Sequence, residues 1–153
     1  MDVMFVESIP RLIDINVRSR IFRDKKKLLI VGKCIVDEHP EAVKDFEDYA
    51  IVCSCPEAEH INMVGFKLLG VLARGEFDEV AVLTTDGSMH CIQLHYMLEE
   101  IEKIIGGRCR YRYFVYEDRK VVEIPKEVVK TSRYLTKVKK LYEKHSARSA
   151  QSF

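Results

Sequence analysis

Apolar positions along the chain follow two rhythms, and the change from one to the other outlines the fold. Ile13, Ile15, Val17 and Ile21 alternate with Asp14, Asn16, Arg18 and Arg20, the period of a strand with one wet face. Asp24-Lys25-Lys26 then turns the chain into Lys27 to Val31, so the first two strands are predicted to form a hairpin. Glu38 to Tyr49 carries Val43, Phe46 and Tyr49 at helical spacing, a short acidic helix. Ala50 to Cys53 and Glu79 to Thr84 are apolar without alternation, as strands covered on both faces are. Between them Pro56 reads as a first helical residue, with Glu57 and Glu59 at the positive end of the helix dipole. Ile61, Val64, Leu68, Leu69 and Leu72 carry that helix to a stop near Gly75. Past the loop Thr85-Asp86-Gly87, Ser88 is the expected N-cap of a helix ending at Gly106-Gly107.

Arg108 to Tyr116 and Val121 to Ile124 read as a hairpin across Glu117-Asp118-Arg119-Lys120. Pro125 opens a final helix with Val128, Leu135, Val138 and Tyr142 facing inward, and Ser146 to Phe153 trails as a frayed tail. Strand, helix, strand, loop, helix is a repeated unit that implies a parallel sheet with right-handed crossovers. The expected fold is therefore α/β: a three-layer, mostly parallel central sheet, Rossmann-like, with an N-terminal antiparallel strand, a late β-hairpin and a C-terminal helix. Residues 1–145 form the single domain and 146–153 a flexible tail.

Composition narrows the class. With 153 residues, 47% hydrophobic and 32% charged, the chain has the balance of a globular domain. No apolar run approaches the roughly 20 residues that span a bilayer, and Met1-Asp2-Val3-Met4 lacks the basic flank of a signal peptide, so a cytoplasmic protein away from membranes is expected. Charge is uneven: eight acidic residues against one Lys from Asp37 to Glu59, and eight Lys or Arg against two Glu from Lys126 onward. Two such faces meet different partners, or the same partner in another copy, unless each is simply a solvated surface. Scarce Asn and Gln beside abundant Lys, Arg and Glu is a bias typical of thermophile proteins, whose cytoplasm tolerates disulfides.

Candidate chemistry gathers at strand ends. Cys34 follows Leu28 to Gly32, Cys55 follows Ala50 to Cys53, and Cys91 follows Val80 to Leu83. In a parallel sheet these thiols collect along the edge where open α/β folds place ligands. Cys55 and Cys91 each stand near an expected helix start, where free amides and the dipole favour a thiolate. Asp86-Gly87-Ser88-Met89-His90-Cys91 is the densest polar cluster, and the amides after Ser88 offer a seat for an anion. Cys91 and His95 share a helix face at metal-ligand spacing, though either could be packed into the core, and for His95 core packing is the better account. His60 reads as a solvated surface residue. Around Cys109, Arg108, Arg110 and Arg112 fall on the strand face opposite Tyr111 and Tyr113, which separates charge from stacking and argues against nucleic-acid binding. There is no Gly-x-Gly-x-x-Gly, Walker A, Gly-x-Ser-x-Gly, His-Glu-x-x-His or Cys-x-x-Cys motif, which disfavours the enzyme classes those signatures mark.

Cys34, Val52-Cys53-Ser54 and Gly87-Ser88-Met89-His90-Cys91 together give residues 28–105 a layout that resembles the delta subunit of methyl-viologen-reducing hydrogenase. That family is a small α/β iron-sulfur protein passing electrons between a hydrogenase and heterodisulfide reductase. The chain departs from it in having only Cys91 in the second loop, and Cys55 where the family tends to have glycine. The resemblance implies a [2Fe-2S] or other iron-sulfur cluster on Cys34, Cys53, Cys55 and Cys91, and a non-catalytic electron carrier that docks a redox partner protein or a second copy of itself. Two other readings stand beside it. One is a small-anion or nucleotide-binding module or enzyme using Asp86, Gly87, Ser88, His90 and His95; the other is a structural protein whose cysteines are packed in the core or disulfide-bonded.

Overall fold

The computed structural model describes residues 9–151; Met1 to Met4 and the last residues of the expected tail lie outside them. Five strands form one sheet: β1 (Lys27–Gly32), β2 (Tyr49–Ser54), β3 (Glu79–Thr85), β4 (Arg110–Glu117) and β5 (Lys120–Ile124). Their order is β2-β1-β3-β4-β5, parallel through β4, with β5 antiparallel at the edge. The helices are α1 (Lys33–Glu38), α2 (Ile61–Arg74), α3 (Ile92–Ile105), α4 (Lys126–Ser132) and α5 (Leu135–Gln151). The architecture is α/β, with helices on both faces of the sheet, as the sequence pattern implies.

Alternation along the buried strands splits the core. Leu28 and Ile30 of β1 point into a layer with Val64, Leu68, Leu94 and Leu98 from α2 and α3. Leu29 and Val31 point the other way, toward Ile35, Val43 and Phe46. Both faces are therefore sealed, which is why these runs are apolar without alternation. β4 and β5 turn through Asp118 and Arg119 with φ of 49° and 60°, the left-handed pair that a two-residue hairpin requires.

Several expectations are corrected. The N-terminal segment is not a strand, and no hairpin joins it to β1: it holds 3-10 turns at Leu12–Asp14 and Arg20–Phe22, and an isolated bridge from Arg11 to Cys53. Its alternation is real, since Ile13, Ile15, Val17 and Ile21 pack against the core, but the segment crosses the helical layer without a ladder partner. The helix expected from Glu38 to Tyr49 is divided. Pro40 forces His39 out of helical space (φ −136°, ψ 56°), leaving α1 before it and a 3-10 stretch, Pro40–Phe46, after it, while Tyr49 begins β2. Pro56 opens a tight turn rather than α2, which starts at Ile61 with the His60 ring accepting the Asn62 N–H at 3.1 Å.

The C-terminal helix is broken as well. Ser132 Oγ donates back to the Val129 carbonyl at 2.7 Å, and Arg133-Tyr134 separates α4 from α5. Val129, not Val128, is the buried residue of α4; Val128, Leu135 and Tyr142 are 53%, 78% and 70% exposed, so the expected inward stripe faces solvent. α5 continues as helix from Leu135 to Gln151, across the start of the expected tail. Among the described residues no helix is long and apolar enough to cross a membrane.

Candidate functional site

In this strand order β1 connects outward to β2, and the chain then crosses back to β3. The carboxyl ends of β1 and β3 are thus the switch point where open α/β sheets leave a crevice. Here it is narrow. A Cβ placed on Gly32 would sit 3.8 Å from Cys91 Sγ and 3.8 Å from the Leu83 carbonyl oxygen, so the turn before α3 packs directly against the end of β1.

The open space lies one strand over. A cleft of about 390 Å³ runs between the end of β3, the loop Thr85 to Ser88, and α4. Thr84, His95 and Val115 line it from the sheet and α3, Met89 and Ile92 from the start of α3, and Ile124, Val128, Val129 and Ser132 from the chain that folds over it. Its wall is mostly apolar, and no Lys or Arg lines it among the described residues.

The loop is built by a few local bonds. Gly87 takes φ 86°, the left-handed turn that a Cβ disfavours. The Asp86 N–H donates to the Tyr116 carbonyl at 3.2 Å, continuing the β3–β4 ladder by one residue. Ser88 Oγ accepts the Cys91 N–H at 3.2 Å and the Ser88 carbonyl accepts the Ile92 N–H, so Ser88 closes the turn before α3, whose N-cap is Cys91 rather than the expected Ser88. The same bonds occupy the Cys91 and Ile92 N–H groups, two of the amides that follow Ser88.

At the bottom, Thr84 Oγ1 and His95 Nε2 are hydrogen-bonded at 2.6 Å, both side chains buried. The His95 ring stacks on Tyr113 with centroids 6.1 Å apart. Burial pushes the imidazole pKa from 6.5 down to about 4, against a weaker pull from Asp86, so His95 is neutral at physiological pH. Of the residues expected around an anion, Asp86, Gly87, Ser88 and His95 line the cleft. His90 lies in the turn before α3, its carbonyl accepting the Gln93 N–H.

The thiols are arranged differently. Cys34 is exposed, Cys55 half-buried and Cys91 buried; the Cys34 thiol is pushed up first by its partial burial, then by Cys91 and Cys55 nearby. Cys53 belongs to the core layer beneath α1, and burial raises its pKa to about 11. Cys109 stands at the opposite end of the sheet, before β4. All five are free thiols in this structure. Beside Cys55, the end of β2 is closed by a buried carboxylate: Ser54 Oγ and Arg11 Nε each donate to Glu59 at 3.0 Å. Glu59 thus serves β2 rather than the dipole of α2.

A family model described as a Rossmann-like domain matches residues 20–152. The chain belongs to that family. No curated protein and no solved structure matches it. In this Rossmann-like domain a four-thiolate cluster would need ionised sulfurs converging on one centre. Cys53 is buried in the core with its thiol form favoured, and among the described residues no three His, Cys, Asp or Glu side chains gather closely enough to hold a metal ion. The sequence reading missed Val115, Ile124, Val128, Val129 and Ser132 as lining residues. No local signal marks them, since their shared role arises only when α4 folds back over the β4–β5 hairpin.

Proposed function

We propose that this Rossmann-like domain binds a neutral, ring-sized small molecule in the cleft between β3, α3 and α4. One observation carries the reading: a mostly apolar cleft of about 390 Å³ with a buried, uncharged hydrogen-bonding pair, Thr84 and His95, at its floor. Apolar walls supply affinity, and a few fixed polar groups orient the ligand. No Lys or Arg lines the cleft among the described residues and the Cys91 and Ile92 amides are already bonded, so a phosphate or carboxylate has no cation to hold it there. A planar heterocycle presenting one hydrogen-bonding edge to His95 and Asp86 suits the site.

The test is a ligand-observed NMR screen of neutral heterocycles, including adenosine, riboflavin and nicotinamide, with His95 imidazole resonances followed on the protein. Saturable binders should shift those resonances, and Val128→Trp, a change at an exposed residue on the cleft rim, should weaken them about tenfold. Binders that leave His95 unmoved, or a screen without any saturable binder, would sink the proposal. Stoichiometric iron and sulfide in anaerobically purified protein, lost on Cys34→Ser, would replace it with the electron-carrier reading.

A further inference from the structure

We propose that the chain pairs with a second copy through a reciprocal exchange, in which α5 of each copy lies in the groove between α2 and α3 of the other. α5 has an apolar stripe at helical spacing, Leu135, Val138, Leu141 and Tyr142, and all four residues are exposed. In its own copy it packs mainly on α4. A stripe of that kind on a highly charged helix needs a partner surface.

The same chain carries one. A groove of about 520 Å³ runs between α2 and α3, with Phe66, Leu69, Met97 and Ile104 along it and Glu100 beside them. Phe66 is 80% exposed and Ile104 60%. The groove is long enough: α3 from Gln93 to Ile104 spans about 17 Å, and the stripe from Leu135 to Tyr142 covers about 10 Å, two turns of α5. Charge agrees too. α5 carries Lys137, Lys139, Lys140, Lys144 and Arg148 against Glu143, so in a chain of net charge +1 the remainder is acidic.

The connection selects a second copy over the helix's own groove. Arg133 lines the groove, contacts Glu99 at 2.8 Å, and lies over the Tyr96 ring at 5.9 Å and the Tyr134 ring at 5.8 Å. The Tyr134 N–H donates to the Thr131 carbonyl. This braced, two-residue link holds α5 away from the groove where it originates. Because each copy offers both a helix and a groove, a two-fold axis satisfies both at once.

Light scattering and sedimentation of the full chain test this. The unaltered protein is expected to be a dimer, whereas Leu135→Glu with Leu141→Glu, or Phe66→Glu alone, weakens dimerisation at least about a hundredfold while circular dichroism stays unchanged. Mixing the helix variant with the groove variant should restore a heterodimer, because one junction remains intact. A monomer at concentrations of hundreds of micromolar overturns the proposal. So does a dimer that survives both variants, a mixture that fails to associate at concentrations where the unaltered chain is fully paired, or a monomer that instead sediments with phosphatidylserine vesicles through α5.

Discussion

His95 shows how far a single side chain depends on its surroundings. Its position in the first turn of α3 is plain in the sequence, yet its charge is decided by Thr84, Tyr113 and the exclusion of water. The folded protein keeps the ring neutral down to about pH 4, while the unfolded chain protonates it near 6.5. Between those values the unfolded state binds more protons, so the contribution is full above about pH 6.5 and is lost as pH falls toward 4. Denaturant titrations at pH 7.5 and 4.5 should show the loss, and in His95→Gln the drop should be smaller by about 2–3 kcal/mol. An equal drop in both proteins would mean that the ring is not desolvated.

At the scale of elements, the informative case is the segment before β1. Its period-2 pattern marks one face for burial, and that face is half-buried against the core, but alternation does not specify a ladder partner. The segment is fastened instead by side chains. Arg11 reaches the buried Glu59, and the Pro10 carbonyl accepts the Cys53 N–H at 2.9 Å. Arg11→Met leaves a buried carboxylate with only Ser54 as donor and should cost about 2–3 kcal/mol. Hydrogen exchange should quicken at the Cys53 amide before it does along β1. Unchanged exchange there would show that the ion pair does not hold the segment.

For the whole molecule, assembly and stability are linked. If α5 and the α2–α3 groove close on each other between copies, the melting temperature rises with protein concentration. It should become independent of concentration in Phe66→Glu, as read by calorimetry over a hundredfold range. A flat dependence in the unaltered chain would count against the exchange.

Much of the fold was legible along the chain, because β1, β2, β3, the helices α2 and α3 and the late hairpin are each specified by local period and turn chemistry. Ser88 and Gly87 belong to that group: their roles follow from short-range bonds that neighbouring residues impose. The strand order is different, since parallel pairing brings together residues far apart in sequence. The thiols illustrate the consequence. Cys34, Cys55 and Cys91 follow the ends of adjacent strands as their spacing implies, but the alternation of β2 sends Cys53 into the core, and Cys91 packs where the switch-point crevice would open. The cleft depended on tertiary structure still more, for the break at Ser132 turns an amphipathic stripe into one helix that covers the site and another that leaves the molecule. Sequence alone therefore determined the strands of the sheet and the helices α2 and α3, because their causes lie within a few residues of one another. Tertiary structure decided where the cleft and the α2–α3 groove lie, because these arise from residues that meet only after the chain has crossed the sheet.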